Sequence, residues 1–223
     1  MTQPAESAAT PRGASASFTW TRLGSLLSIL PLGVWTVNHL WDNLSAFSGK
    51  RAWEAAVENH PHPVAHGLTL LLVLLPLVLH TAWGLRRLRS SGANIGRYST
   101  YGNLKYLLQR ITAVGLIGFL GAHLWLAMIK PRLLEGGPEP FEEIAREMRF
   151  HGPTFWVYVI GTMAVAFHLG NGITSFAWTW GLAAGRRSLQ RVDRLAVATF
   201  LVLLAFSWAT IYALYEAGES YGP

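Results

Sequence analysis

The sequence predicts an all-α integral membrane protein: five transmembrane helices forming a bundle. Three observations predict it. Of the 223 residues 51% are hydrophobic and only 13% are charged, the balance of a chain whose surface meets lipid. Five apolar runs approach the roughly 20 residues that a bilayer-spanning helix requires. Four of those runs each hold one histidine, His39, His80, His123 and His168, and an ionisable side chain at membrane depth is a functional candidate by default. Four helices with one imidazole each suggest two haems, each held by two histidines.

Residues 1–17 are small, polar and proline-containing and read as a disordered cytoplasmic tail. No basic region precedes a short apolar core ending in a cleavage-type motif, so a cleaved signal peptide is not expected. The first helix is expected from about Phe18 to Leu44, kinked rather than broken at Pro31 because neighbouring helices hold such kinks in membranes. A connection with Lys50, Arg51, Glu54, Glu58 and the cluster His60-Pro61-His62-Pro63 leads past His66 to a second helix, about Val64 to Leu88. Its stretch PLVLHTAWGLRRLR carries His80 and stops at Arg86, Arg87 and Arg89. A polar loop, Ser90 to Asn103, leads to the third helix, about Leu104 to Ile129. The longest connection, Lys130 to Gly152, holds Glu139, Glu142, Glu143 and Glu147 and could form a short surface helix. The fourth and fifth helices run from about Pro153 to Trp180 and Asp193 to Tyr215. The chain thus divides into the tail 1–17, the bundle 18–216 and a short external tail 217–223.

There is no cysteine. That excludes structural disulfides, thiolate iron–sulfur ligation and a covalently attached c-type haem, so any iron–sulfur cluster must belong to another subunit. The net charge of +6 would suggest nucleic acid in a soluble protein. Here the basic residues sit at segment ends, which points to membrane topology and not to nucleic acid. With five alternating spans, the N-terminal tail, the second-to-third and the fourth-to-fifth connections share one side. Twelve of the 18 basic residues fall there, among them Arg12, Arg22, Arg97, Lys105, Arg186 and Arg194, against only Glu6 and Asp193 of the 12 acids. The positive-inside rule then puts the N-terminus in the cytoplasm.

Orientation sorts the histidines by depth. His80 lies six residues before Arg86, roughly 9 Å from the cytoplasmic edge at about 1.5 Å per residue. His39 and His123 follow Arg22 and Arg110 by roughly 26 and 20 Å of helix, towards the outer leaflet. His168, entered from the outer end, lies at or below the midplane. The expected pairs are His80 with His168 and His39 with His123. Local patterns give the same partition: Gly84 and Gly172 each stand four residues after a histidine of the first pair, and His39-Leu40-Trp41 matches His123-Leu124-Trp125. Glycine one turn from a ligand leaves room for a flat macrocycle. A single membrane histidine often only ties helices together; four, one per helix and in two depth-matched pairs, favour ligation. Quinol-oxidising respiratory cytochrome b needs two helices that each carry two histidines about 13–14 residues apart; here His66 and His80 give that spacing on one helix only.

The stretches SLLSILPLGVWTVNHLWDN (25–43), LLPLVLHTAWGL (74–85), GRYSTYGNLKYLLQRITAVGL (96–116), HLWLAMI (123–129) and FHLGNGITSFAWTWG (167–181) resemble the cytochrome b membrane anchor of succinate:quinone oxidoreductases and fumarate reductases, of the single-subunit, five-helix, dihaem kind. The resemblance implies two haem b with His80 and His168 as proximal and His39 and His123 as distal axial ligands. It implies flavoprotein and iron–sulfur subunits on the cytoplasmic face of a bacterial inner membrane, and a quinone, menaquinone in many such bacteria, as electron acceptor. It fits either succinate oxidation or fumarate reduction. Ser25, Arg22 and Arg110, at the cytoplasmic edge, are candidates for meeting haem propionates, with lipid headgroups the alternative for the two arginines. Trp41 and Trp125 either flank the distal haem or belong to the aromatic belt. Asp42, Glu54, Glu58 and His62 are candidates for the proton-donating groups of a quinone site. Some relatives carry a carboxylate two residues before the fourth ligand; here that position is Ala166. The rival reading is a haem-free structural anchor for a peripheral dehydrogenase. A transporter lacks support, since paired broken helices and repeat symmetry are missing.

Overall fold

The computed structural model describes residues 12–58, 67–90, 96–97 and 100–222. Helix α1 is built from Arg12–Leu27, a widened π turn at Ser28–Gly33, Val34–Asn43 and a closing 3-10 turn at Leu44–Ser48. Gly49, at φ +83°, reverses the chain into the short α2, Lys50–Trp53, a left-handed backbone that glycine reaches without steric cost. Helix α3 comprises a π turn at Leu70–Leu74 and Leu75–Ser90; α4 comprises Tyr101–Leu124, a π turn at Trp125–Ile129 and Lys130–Leu134. Then come α5, Phe141–Phe150, α6, Gly152–Thr179, and α7, Arg186–Gly218 with a 3-10 finish at Glu219–Tyr221. Among the described residues five stretches are long and apolar enough to cross a membrane: Phe18–Ser48, Gly67–Arg89, Tyr101–Leu134, Gly152–Thr179 and Arg186–Tyr221.

Three boundaries differ from expectation, two of them for a hydrogen-bonding reason that hydropathy does not register. The first helix begins at Arg12, so residues 12–17 are helical and not tail. The last begins at Arg186, seven residues before Asp193, because Ser188 Oγ accepts from the Gly185 N–H at 3.0 Å and donates back to its carbonyl at 2.7 Å, closing the first turn. The C-terminal segment is packed rather than loose: Arg149 donates to Glu219 at 3.1 Å and Tyr221 lies edge-on to Phe141.

The widened turns in three of the membrane helices have one cause. Pro31 lies inside Ser28–Gly33, and Pro76 and Pro131 each follow a π turn by two residues. A proline has no N–H for the carbonyl one turn back, and the ladder loosens there. At Pro131 the abandoned acceptor is the Ala127 carbonyl, which receives the Arg132 guanidinium at 2.9 Å instead. Lipid could not supply that partner.

Helix α6 is the hub, packed along α7 and α4 and crossed by α1, while α3 leans on α1. Its closest neighbour is α7, admitted by Gly170, where a Cβ would stand 2.7 Å from the Ala196 carbonyl oxygen. At the end of the bundle away from the N-terminus, α5 lays Phe141, Ala145 and Met148 onto Ile211 and Leu214 of α7, with Ala46 and Trp53 completing the cluster. Leu70, Leu72, Val78, Ile117 and Leu201 stay exposed on the flanks, as lipid-facing residues do.

Candidate functional site: two histidine pairs

Helices α1 and α4 bring His39 and His123 together, ring centroids 5.9 Å apart with planes at 65°. Helices α3 and α6 do the same for His80 and His168, at 6.4 Å and 79°. An imidazole–metal bond is about 2 Å, so each gap has room for one metal atom ligated from both sides. Among the described residues no cluster of three or more His, Cys, Asp or Glu side chains exists, so neither pair has the donors for a bare ion. Two imidazoles are what a haem requires of a protein, its macrocycle supplying the rest.

Ligation uses one ring nitrogen, and the partner of the other fixes the tautomer. The His80 Nδ1–H donates to the Gly24 carbonyl at 3.1 Å. His168 Nδ1 lies 3.3 Å from Thr112 Oγ1. That hydroxyl spends its own proton on the Leu108 carbonyl at 2.7 Å, so it accepts from the imidazole. His123 Nδ1 meets the Tyr158 hydroxyl at 3.1 Å. In the first two rings Nε2 is thereby left as the lone-pair nitrogen; the Tyr158 hydroxyl can donate or accept, and accepts when His123 ligates through Nε2. His39 differs: its Nδ1 is 3.5 Å from the Asn43 amide, which donates to the His39 carbonyl at 2.7 Å while its oxygen accepts from Trp53 Nε1.

Aromatic walls keep the pairs dry. Trp35 stacks on His39 at 4.5 Å and Phe119 on His123 at 5.8 Å, while Trp83 leans on His80 at 5.6 Å. Glycines admit the walls: a Cβ on Gly24 would strike the Trp83 ring, and one on Gly161 the Phe119 ring. Gly84 and Gly172 are different. An added Cβ there would meet nothing within 4 Å, which leaves open space on the same helix face as His80 and His168. That space, the paired rings and the fixed tautomers fit a haem at His80/His168; at His39/His123 the fit rests on the facing rings and their spacing.

Sequence reasoning missed Thr112, Tyr158, Asn43 and Gln109. The last donates to the His168 carbonyl at 3.1 Å and accepts from Asn171 at 2.9 Å. The other candidates are scattered. Ser25 Oγ donates to the Arg22 carbonyl and accepts from Trp180 Nε1 at 3.1 Å, which ties α1 to the end of α6. Arg22 lies over Phe18 and Trp180. Arg110 reaches the final carbonyls of α3, Leu88 at 3.3 Å and Arg87 at 3.4 Å, a helix cap. Trp41 and Trp125 are exposed on the flank, and Ala166 is fully buried, with no space for a carboxylate. Asp42 accepts from Asn38 at 2.7 Å, Glu54 pairs with Lys50 at 3.5 Å, Glu58 closes the turn Glu54–Glu58, and His62 lies outside the described residues. A carboxyl the sequence placed only in a surface helix stands out nearby: burial, with Glu147 and Glu143 alongside, pushes Glu139 up to about 8.

Residues 89–210 match the family described as succinate dehydrogenase/fumarate reductase transmembrane subunit. The chain belongs to that family. It is also 29% identical over 199 residues, 89% of its own length and 96% of the relative's, to the succinate dehydrogenase cytochrome b558 subunit of Bacillus subtilis (strain 168). The family match spans most of α4, α6 and α7 and contains His123 and His168, while the alignment to the Bacillus protein covers most of the chain. As a member of this family the chain is the membrane subunit of an oxidoreductase complex, and its flavoprotein and iron–sulfur partners follow from that membership.

Proposed function

We propose that this subunit carries electrons from the iron–sulfur partner through two haem b, held by His80/His168 and by His39/His123, to a quinone. The observation that carries the reading is the pair of facing imidazoles at two levels of one bundle, 6.4 and 5.9 Å apart. A haem held by these histidines would supply one-electron carriage where apolar side chains carry none. The residues of this chain do the rest. His80, His168 and His123 present Nε2 because Gly24, Thr112 and Tyr158 hold Nδ1–H. Trp35, Phe119 and Trp83 exclude water. The N-terminus and the basic loops face the cytoplasm of a bacterial inner membrane, where the flavoprotein and iron–sulfur subunits dock, so the His80/His168 pair is proximal. Quinone reduction takes two electrons and two protons to the quinol, and menaquinone is the acceptor the resemblance implies; Asp42, Glu54, Glu58 and His62 stand as its proton-group candidates.

The test is a haem-to-protein ratio on the purified membrane complex, with dithionite- and succinate-reduced spectra. Two b haems per chain, at least one reduced by succinate, are expected. His80→Ala or His168→Ala should remove one haem and His39→Ala or His123→Ala the other. A colourless complex that still recruits the soluble subunits would replace the relay with a structural anchor. Two haems reduced by dithionite but never by succinate would require another electron donor.

A further inference from the structure

Three of the four imidazoles have an oxygen partner at Nδ1, which accepts its proton when the ring ligates through Nε2, and the partners differ. On the proximal side one is a backbone carbonyl, Gly24, and the other a threonine hydroxyl, Thr112. In the distal pair His39 Nδ1 faces an amide donor at 3.5 Å, which leaves the Tyr158 hydroxyl on His123, at 3.1 Å, as the one acceptor the described residues offer that pair. Its placement is over-determined. Tyr158 stands edge-on to His123 at 5.7 Å and edge-on to Phe119 at 5.7 Å, and Phe119 in turn stacks on His123. Gly161, one turn along α6 from Tyr158, holds Phe119 there, because any side chain at that position would occupy its ring. The phenol, the phenyl ring and the imidazole therefore form one rigid group spanning α4 and α6.

We infer that Tyr158 is a positioning residue that sets the orientation and the electron-donating strength of His123, and through it the reduction potential of the distal haem alone. The inference rests on His123 being a haem ligand. An acceptor on Nδ1–H gives the imidazole more anionic character and makes it a stronger donor to iron, which favours the ferric state. Removing the acceptor weakens that donation, so the distal potential rises. Nothing about Tyr158 reaches the other pair, whose second nitrogen contacts are made by Gly24 and Thr112.

The experiment is a redox titration of the purified complex, followed optically so that both haems are resolved, for the unsubstituted protein, Tyr158→Phe and Thr112→Val. Tyr158→Phe should retain both haems and raise the midpoint of the haem that His39→Ala removes, leaving the other in place. Thr112→Val should give the reverse pattern. Unchanged midpoints in Tyr158→Phe with both haems present, or a shift confined to the proximal haem, overturn the inference. If Tyr158→Phe does not assemble, 3-fluorotyrosine at position 158 replaces it, keeping the ring while weakening the oxygen as an acceptor. A rise in the same direction is then expected, and its absence is equally decisive. Failure of the underlying reading shows separately, as an unsubstituted complex without haem.

Discussion

Two glycines two residues apart on α6 separate helix packing from the open space beside His168. Gly170 faces α7: an added Cβ would stand 2.7 Å from the Ala196 carbonyl oxygen and 3.2 Å from the Phe200 nitrogen. Both are backbone atoms that cannot swing aside, and ordinary contact begins at 3.4 Å, so the helices must part by about 0.7 Å. Overpacking of this kind costs about 1–3 kcal/mol, and the better helix propensity of alanine returns about 1 kcal/mol. Because the atom struck is backbone the upper end of that range applies, and Gly170→Ala should lose about 2 kcal/mol net, with or without haem. Gly172 points elsewhere, onto the face of His168, and an added Cβ meets nothing within 4 Å. In haem-free protein Gly172→Ala should gain up to about 1 kcal/mol from propensity alone. In the haem-bearing complex it should lose, because the methyl enters the space next to His168, and the haem content should fall towards one per chain. The assay is thermal unfolding in detergent of protein made with and without haem supply, alongside the pyridine-haem ratio. If Gly172→Ala stabilises both forms equally and keeps two haems, the open space is not cofactor space. If Gly170→Ala leaves both melting curves where they were, the packing argument fails.

Two further outcomes follow from groups whose partners are in place. Ser25→Ala should leave the haem ratio at its normal value while destabilising the bundle by about 1–3 kcal/mol, because the Trp180 N–H loses its acceptor in a part-buried site; loss of haem instead would restore Ser25 as a propionate contact. Glu139 titrates up from 4.5 to about 8 in the fold, so the unfolded chain ionises first. Its contribution to stability is complete below pH 4.5 and is lost as pH rises towards 8. Glu139→Gln should flatten the fall in melting temperature across that window, and an unchanged slope would show that the Glu139 carboxyl titrates normally.

The histidine pairing was legible because it needs only two quantities that a sequence carries directly. Distance along a helix sets depth, and the positions of Arg22, Arg86 and Arg110 set the origin. Depth partitions four residues into two pairs without any knowledge of how the helices are rotated. The residues that hold the second nitrogens were not legible for the complementary reason. Thr112 meets His168 across 56 positions and Tyr158 meets His123 across 35, and each contact depends on the azimuth of α4 against α6. No local pattern marks a lone threonine or tyrosine in an apolar run as facing inward. The partners of Asp42 and Glu54 were hidden on the same count: the two are near in sequence, but Asp42 is turned towards Asn38 and Glu54 towards Lys50 on either side of the reversal at Gly49.

Helix ends show a second limit. Hydropathy measures contact with lipid, whereas a helix ends where its hydrogen bonds do. Ser188 starts α7 seven residues before the apolar run, and Arg149 and Phe141 hold its last turn in place after that run is over. Proline works in the opposite direction and is readable. Pro31, Pro76 and Pro131 each remove a donor in a solvent where the orphaned carbonyl has no water to turn to. The only resolutions are a wider turn, a side-chain donor such as Arg132, or both. A proline inside an apolar run therefore marks a locally widened helix. The turn at Trp125–Ile129 begins two residues after His123 and the turn at Leu70–Leu74 ends six before His80. Each such turn resets the angular register between a histidine and the residues beyond the turn. Faces counted at 3.6 residues per turn hold on the histidine's own side of it, which is why Gly84 shares a face with His80, while Trp125, the first residue of the turn after His123, could not be placed by counting.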